Sequence, residues 1–415
     1  MPPCHSDGKI FGPCEILQVH YAKMLYNINV TTICVKYRIY PTHSQERFLC
    51  DTLEVCRGIY NSLLNTRKFE YEVNTKSLSL HDQINAVTGY KKDFPELTSI
   101  HSQVLQNVAT RVDLAFKAFF RRVKTGETPG FPRMKGDGYD SFCYPGTGFT
   151  LHTESIRLSK IGVVKAVIHR KVEGNIKTCT VKRQGQKWFA TFAIETTVIP
   201  LPENDKAIGI DVGIEKFAAI SDGTYIQNPR FFRKNEADLA KAQRKTEKYK
   251  KRSQERTKAR KVVSRVHERI RNRRHNFIHQ ESRKIVNAFG LIVVEQLNVK
   301  NMSKAPAPKP DPDNEGQYLP NGASQKAGLN KSILDASWSM FRSALAYKAE
   351  NAGRKFLEVN PAYTSQDCHS CGYRAKKKLS DRWHLCPKCG TSLDRDRNAA
   401  INILSLGIQR LGVNP

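Results

Sequence analysis

Acidic residues are scarce in this chain: 39 Asp and Glu stand against 68 Lys and Arg, a net charge of +29 over 415 residues. That is several times what solubility needs and points to a polyanionic partner, above all nucleic acid. No apolar run approaches 18 residues, which excludes a membrane-spanning helix. Met1 to Val30 lacks a basic stretch followed by an apolar core, so it does not read as a secretory signal, and a cytoplasmic location is expected. The cysteine count, 11, is odd, against a secreted disulfide scaffold and for a reducing compartment. Hydrophobic residues still make up 39% of the chain, enough for packed cores in two or three domains.

What is present falls into segments. Residues 1–30 show no periodicity and read as an extension. Thr31 to Tyr40 alternates as a strand, closed by Pro41. A helix follows, with Leu49, Leu53, Cys56, Tyr60 and Leu63 at helical spacing; Cys50 and Cys56 read as small core residues. A second helix, about 99–123, carries Val104, Val108, Val112, Phe116, Phe119 and Phe120 on one stripe and ends in Arg121 and Arg122. From about 141 to 197 short strands suggest a small barrel or sandwich. Residues 206–227 read as a strand meander with a hairpin turn at Asp222-Gly223. Two long helices are expected at about 232–252 and 255–288, then a buried strand in LIVVEQL (291–297), a proline-containing mobile loop at 300–330, a helix at 330–352, the strand KFLEV and a last helix from Asp396.

Four cysteines form two C-x-x-C-G units: Cys368 with Cys371, and Cys386 with Cys389. Tight knuckles aim backbone N–H groups at the sulfurs, and four thiolates complete the tetrahedral shell of a structural Zn²⁺. His369 and His384 then read as exposed basic-surface residues. Three carboxylates form a second constellation. Asp211 lies inside the apolar strand AIGIDVG, where an acid is costly unless paired or metal-bound. Glu295 ends LIVVEQL, at the carboxyl edge where α/β sheets place ligands. Asp396 opens a helix whose Ala399, Ala400, Ile403 and Gly407 share its face; Asp394 lies off that face, as a helix-start acid or a supporting group. Such a trio suits two Mg²⁺ ions, or Mn²⁺, clamping a phosphodiester. Residues 241–274 add 16 Lys and Arg against three acids, a surface for phosphates that includes Lys250, Lys251, Arg252 and Lys258. Tyr249 and Phe277 are too few to make a stacking platform there.

The run from Val359 to Ile403, with GIDVG, VVEQL, QKAGLNKSILDASW and KYRIYPTHSQ, resembles the TnpB family, transposon-encoded proteins related to the type V CRISPR nucleases. The resemblance covers roughly residues 34–405. It implies an α+β multidomain protein: an RNase H-like (RuvC) α/β nuclease domain with a zinc ribbon, and an amino-terminal OB-like β-barrel with a helical insertion. The implied bounds are 1–30 for the extension, 31–200 for the barrel with its insertion at about 44–130, 203–365 for the nuclease domain with a basic hairpin at 232–288, 366–391 for the ribbon, and 392–415 for the final segment. The implied activity is cleavage of double-stranded DNA, directed by a guide RNA from the transposon end, beside a short transposon-adjacent motif, by a monomer more readily than a dimer. The family's metal-binding acids carry over to Asp211, Glu295 and Asp396, its zinc ligands to Cys368, Cys371, Cys386 and Cys389. Arg382 matches a recurring arginine that approaches the scissile phosphate, and Arg121 and Arg122 join the nucleic-acid contacts. The 30 residues before the first strand depart from the family pattern, as an extra contact arm or an upstream start. Rival readings are a nuclease-inactive guided repressor, a transposase, and a Holliday-resolvase-type nuclease without a guide.

Overall fold

The computed structural model describes residues 29–314, 316–378 and 380–412, so the expected extension at 1–30 lies almost wholly outside the described residues. It resolves into two units, one of Val30–Thr197 and one from Val198 onward.

In the first unit, β1 (Asn29–Tyr40) buries Val35, Tyr37 and Ile39 by strict alternation. Thr42 then caps α1 (His43–Asn74) in a reciprocal capping box with Gln45. α2 (Leu80–Asp93) is a helix that the sequence pattern did not reveal. It buries only Gln83 and Val87, too few positions to produce a periodic signal, and Ser79 and Asp82 start it with a second capping box. α3 (Ser102–Lys124) buries Val104, Val108, Val112 and Phe116, but Phe120, expected on the same stripe, is exposed. Six strands follow: β2 (Ser141–Pro145), β3 (Phe149–Leu151), β4 (Ser155–Leu158), β5 (Gly162–Val167), β6 (Asn175–Gln184) and β7 (Lys187–Val198). They join β1 in one seven-stranded sheet ordered β2-β6-β7-β1-β5-β4-β3, so the three helices are inserted between its central strand and its edge.

The second unit is built on a five-stranded sheet. β8 (Ala207–Val212), β9 (Lys216–Ile220) and β10 (Tyr225–Gln227) form an antiparallel meander. β11 (Leu291–Glu295) and β14 (Lys355–Val359) extend it, parallel to β8, in the order β10-β9-β8-β11-β14. Between β10 and β11 run α4 (Phe231–Glu247) and α5 (Gln254–Ala288). α4 stops five residues before the expected end, so Lys250, Lys251 and Arg252 lie in the connector; Arg256 closes it by donating to the Thr246 and Tyr249 carbonyls at 3.3 and 2.8 Å. The region expected to be a mobile loop carries α6 (Val299–Met302), a short hairpin of β12 (Lys309–Pro310) and β13 (Tyr318–Leu319), and the start of α7 (Ala323–Ala336). The single helix expected at 330–352 is two, because Ser337 takes a left-handed φ of 57° before α8 (Trp338–Asn351); the break buries both Asp335 and Trp338.

Strand alternation sorts the two faces of this sheet. Ile208, Ile210, Ile292 and Val294 pack with α5 and α8 residues such as Ile278, Ile285, Phe341 and Leu345. Gly209 and Val293 face the other way, toward α9 (Arg395–Arg410). A Cβ at Gly209 would run into the Ala400 carbonyl oxygen and Leu404 N, and one at Gly407 into the Val293 side chain. Helix and sheet therefore meet nearly backbone to backbone. Because the Gly209 clash is with backbone atoms, Gly209→Ala should cost about 1–3 kcal/mol, a fall of roughly 3–10 °C in the melting of this unit. Gly328→Ala, in open space on α7, should not. Equal melting of the two variants in a thermal scan would show that α9 does not sit as closely as described.

Candidate functional site: a carboxylate cluster beside a cysteine cluster

Asp211 has the strand parity of Gly209, and Glu295 that of Val293, so both carboxylates face α9 at the carboxyl ends of adjacent parallel strands. α9 carries Asp396 in its first turn, near enough for its charge to act on Asp211. All three are partly exposed, so the cluster is open to a ligand. Crowding by protein atoms pushes the Asp211 carboxyl well above the usual range, and the nearby charges of Glu295 and Asp396 raise it further; Arg395 offsets them in part. Burial also raises Glu295, against a hydrogen bond of 2.7 Å donated by Thr364 Oγ1. Asp396 has Arg395 Nε at 3.5 Å. No hydrogen bond to the Asp211 carboxyl occurs among the described residues. Like charges are thus gathered with little protein cation to balance them, and all the donors are carboxylate oxygens, the set that a hard divalent cation takes.

Asp394 has a different task. One of its oxygens accepts from the Asp396 and Arg397 amides at 3.0 and 3.2 Å, as the N-cap of α9. The other accepts from Lys216 Nζ at 2.9 Å. Burial opposes ionisation of Asp394, but the Lys216 bond and the amides outweigh it and hold the carboxyl low.

The four cysteines come together: their sulfurs all lie within 4.8 Å of one another, a group able to hold a metal ion. Each knuckle closes on a left-handed glycine, with Gly372 N donating to the Cys368 carbonyl at 2.9 Å and Gly390 N to that of Cys386 at 3.0 Å. The Thr391 hydroxyl and amide lower the Cys389 thiol to about 6. The cluster is tied to α9 by residues that the sequence pattern did not single out. Fully buried Asn398 accepts from His369 N at 3.1 Å and donates to the Asp367 carbonyl at 2.8 Å; Asn402 donates to the carbonyls of Thr364 and Asp367 at 2.8 and 2.7 Å. β15 (Trp383–Leu385) and β16 (Ser392–Asp394) form the hairpin that runs directly into the helix.

The two histidines are not surface residues. His384 is wholly buried, where burial lowers its pKa and Lys377 Nζ lies against its Nδ1; His369 is half-buried against Asn398. Arg382 is exposed, and its guanidinium lies 3.4 Å from Glu215. Lys250, Lys251, Arg252, Lys258 and Arg121 are exposed, and Arg122 is partly so.

Among known families, a profile described as "Probable transposase" matches residues 191–305 and one described as "Cas12f1-like, TNB domain" matches residues 338–403. A third, described as "Helix-turn-helix domain", matches residues 31–76, which here form β1 and the single helix α1. The "Putative RNA-guided DNA endonuclease InsQ" of Escherichia coli (strain K12) is 32% identical over 90% of this chain and 91% of its own length. A "Putative RNA-guided DNA endonuclease" of Streptomyces pristinaespiralis is 32% identical over 90% of this chain and 89% of its own. A solved structure, "Cryo-EM structure of the Cas12f1-sgRNA-target DNA complex", shares the fold with a TM-score of 0.55 at 13% identity, over 90% of this chain and 98% of that one. Identity of this depth along nearly the full length of two curated relatives, and not the motifs alone, establishes that the chain belongs to the TnpB family.

Proposed function

We propose that this chain is an RNA-guided DNA endonuclease whose phosphodiester chemistry takes place at Asp211, Glu295 and Asp396. The observation that carries the reading is the gathering of these three acids on the α9 face, at the carboxyl ends of β8 and β11. A five-stranded sheet with three parallel strands and an antiparallel meander supports an RNase H-like domain of RuvC type. The seven-stranded sheet, with helices inserted after its central strand, supports an OB-like barrel carrying a recognition insertion. Cleavage would be directed by a transposon-derived guide RNA beside a short transposon-adjacent motif, and the protein would act as a monomer in the cytoplasm.

The three carboxylates would hold Mg²⁺, with Mn²⁺ as a substitute. Bound there, the metal would supply Lewis-acid activation of a phosphodiester. The chain's own residues set the geometry. Thr364 keeps one Glu295 oxygen from rotating away, and Asp394 and Lys216 pin the helix end that presents Asp396. Arg382, whose carbonyl accepts from Arg395 N at 3.0 Å at the start of α9, would be available to a phosphate once its exposed guanidinium leaves Glu215. The basic connector and α5, with Lys250, Lys251, Arg252 and Lys258, would grip phosphate backbone, as would Arg121 and Arg122. The four-thiolate cluster would hold Zn²⁺, which leaves no open position and makes the ion structural. With all three acids in place, cutting is favoured over guided repression without cleavage.

Two sets of variants test this. Asp211→Asn and Asp396→Asn should each slow Mg²⁺-dependent cleavage by roughly 100- to 1,000-fold, several kcal/mol of barrier, while guide and target binding persist. Asp394→Asn should be far milder, since an asparagine still caps α9. A dead Asp394→Asn beside an active Asp396→Asn would exchange their roles, and full cleavage by all three would move the chemistry elsewhere. For the cysteines, Cys386→Ser should lose the zinc found by elemental analysis and, through the hairpin into α9, the cleavage activity too. One zinc per chain with full activity in that variant would refute the four-thiolate site.

A further inference from the structure

The end of α3 carries aromatic surface that the core does not use. Phe120 is 57% exposed and Phe131 46%, although both belong to a cluster of four phenylalanines. The Phe131 ring lies edge-on to those of Phe116 and Phe119, at centroid distances of 5.6 and 5.4 Å, and Phe119 meets Phe120 at 5.2 Å. Phe116 is the buried root of the cluster, with the Arg67 guanidinium 4.3 Å from its ring centroid. The extended segment that carries Phe131 is fastened to α1: Asn61 accepts from Lys135 N at 2.7 Å and donates to its carbonyl at 2.9 Å. The outer rings are therefore held in place and face outward.

Cations frame the rings. Residues 117–135 contain six Lys and Arg and one acid, Glu127. Only Lys117 is paired, with Asp113; Arg121, Arg122, Lys124, Arg133 and Lys135 form no ion pair among the described residues. An exposed apolar ledge surrounded by unneutralised positive charge matches a polyanion with flat apolar faces, and a protein partner would need a patch both acidic and apolar. Stacking needs unpaired bases, which duplex DNA withholds and single-stranded RNA offers. A ledge left bare would also favour self-association, so its occupant should be the partner that the protein carries throughout.

We propose that Phe120 and Phe131 are a stacking platform for an unpaired segment of the guide RNA, with Arg121, Arg122, Arg133 and Lys135 holding the flanking phosphates. This rests on the guide-RNA reading above. The platform would add a base-contacting site to the cations proposed above as phosphate contacts.

The test uses the full chain and a labelled 20-nucleotide unstructured RNA, followed by fluorescence anisotropy across a salt series. Phe120→Ala with Phe131→Ala should weaken binding by about 10- to 100-fold at every salt concentration and leave the salt slope unchanged, because stacking releases no counterions. Phe120→Trp with Phe131→Trp should restore affinity, and both pairs should keep the wild-type circular dichroism. Arg121→Gln with Arg133→Gln should instead flatten the slope. Unchanged RNA affinity in the alanine pair overturns the proposal. So does an equal loss on duplex DNA of the same length, a larger loss on single-stranded DNA, or a change in oligomeric state on removing the rings. Should the wild-type chain bind the short RNA through these rings yet neither retain a discrete RNA nor cleave, the platform stands and the guided-nuclease reading fails.

Discussion

The backbone of α9 rests on the sheet at Gly209, and the carboxylate site exists because of that approach. Any side chain at 209 would lift the helix off β8, and Gly407 does the same service where α9 crosses Val293 on β11. Two small residues, one on the strand and one on the helix, let the helix start overhang the ends of both strands. The acids themselves are ordinary in type. Their position is set by a packing contact made a turn or more away from each.

The same approach creates an electrostatic problem. Asp211 and Glu295 are pushed upward by crowding, and Asp211 also by its neighbours' charge, while Arg395 compensates only in part. An arrangement of this kind is stable either protonated or with a cation supplied from outside. The nearby pair Asp394 and Lys216 is the contrast: it is balanced internally, caps the helix, and needs no external charge. Two acids two residues apart thus have different surroundings: Asp394 is met by an ammonium and two amides, Asp396 by the Arg395 guanidinium.

Much of this was readable in advance, for physical reasons. An acid inside an apolar strand, Asp211, contradicts its surroundings, and such contradictions mark sites. The paired C-x-x-C-G units announce their clustering because both ligands and turn are local. The small-residue face of α9 separated Asp396 from Asp394. Features that depend on long-range pairing were not readable. Thr364 gives no local sign that it will hold Glu295. Asn398 looks like a helical polar residue until the knuckle at His369 closes over it. His384 sits between cysteines in a basic stretch and reads as surface, yet the hairpin turns it wholly inward. α2 buries too little to show a period, and Phe120 shares a stripe with buried residues while facing solvent.

The central claim is that the carboxylate cluster is a divalent-metal site, and calorimetric titration of the purified chain with Mn²⁺ tests it without any need for guide or target. Because Asp211 and Glu295 are raised in the metal-free protein, the ion competes with protons there, so apparent affinity should climb as pH rises through the raised carboxyl range. Asp211→Asn should abolish this binding and Asp394→Asn should preserve it. Binding that survives Asp211→Asn, or no binding by the wild-type chain at any pH at which it is folded, would contradict the assignment.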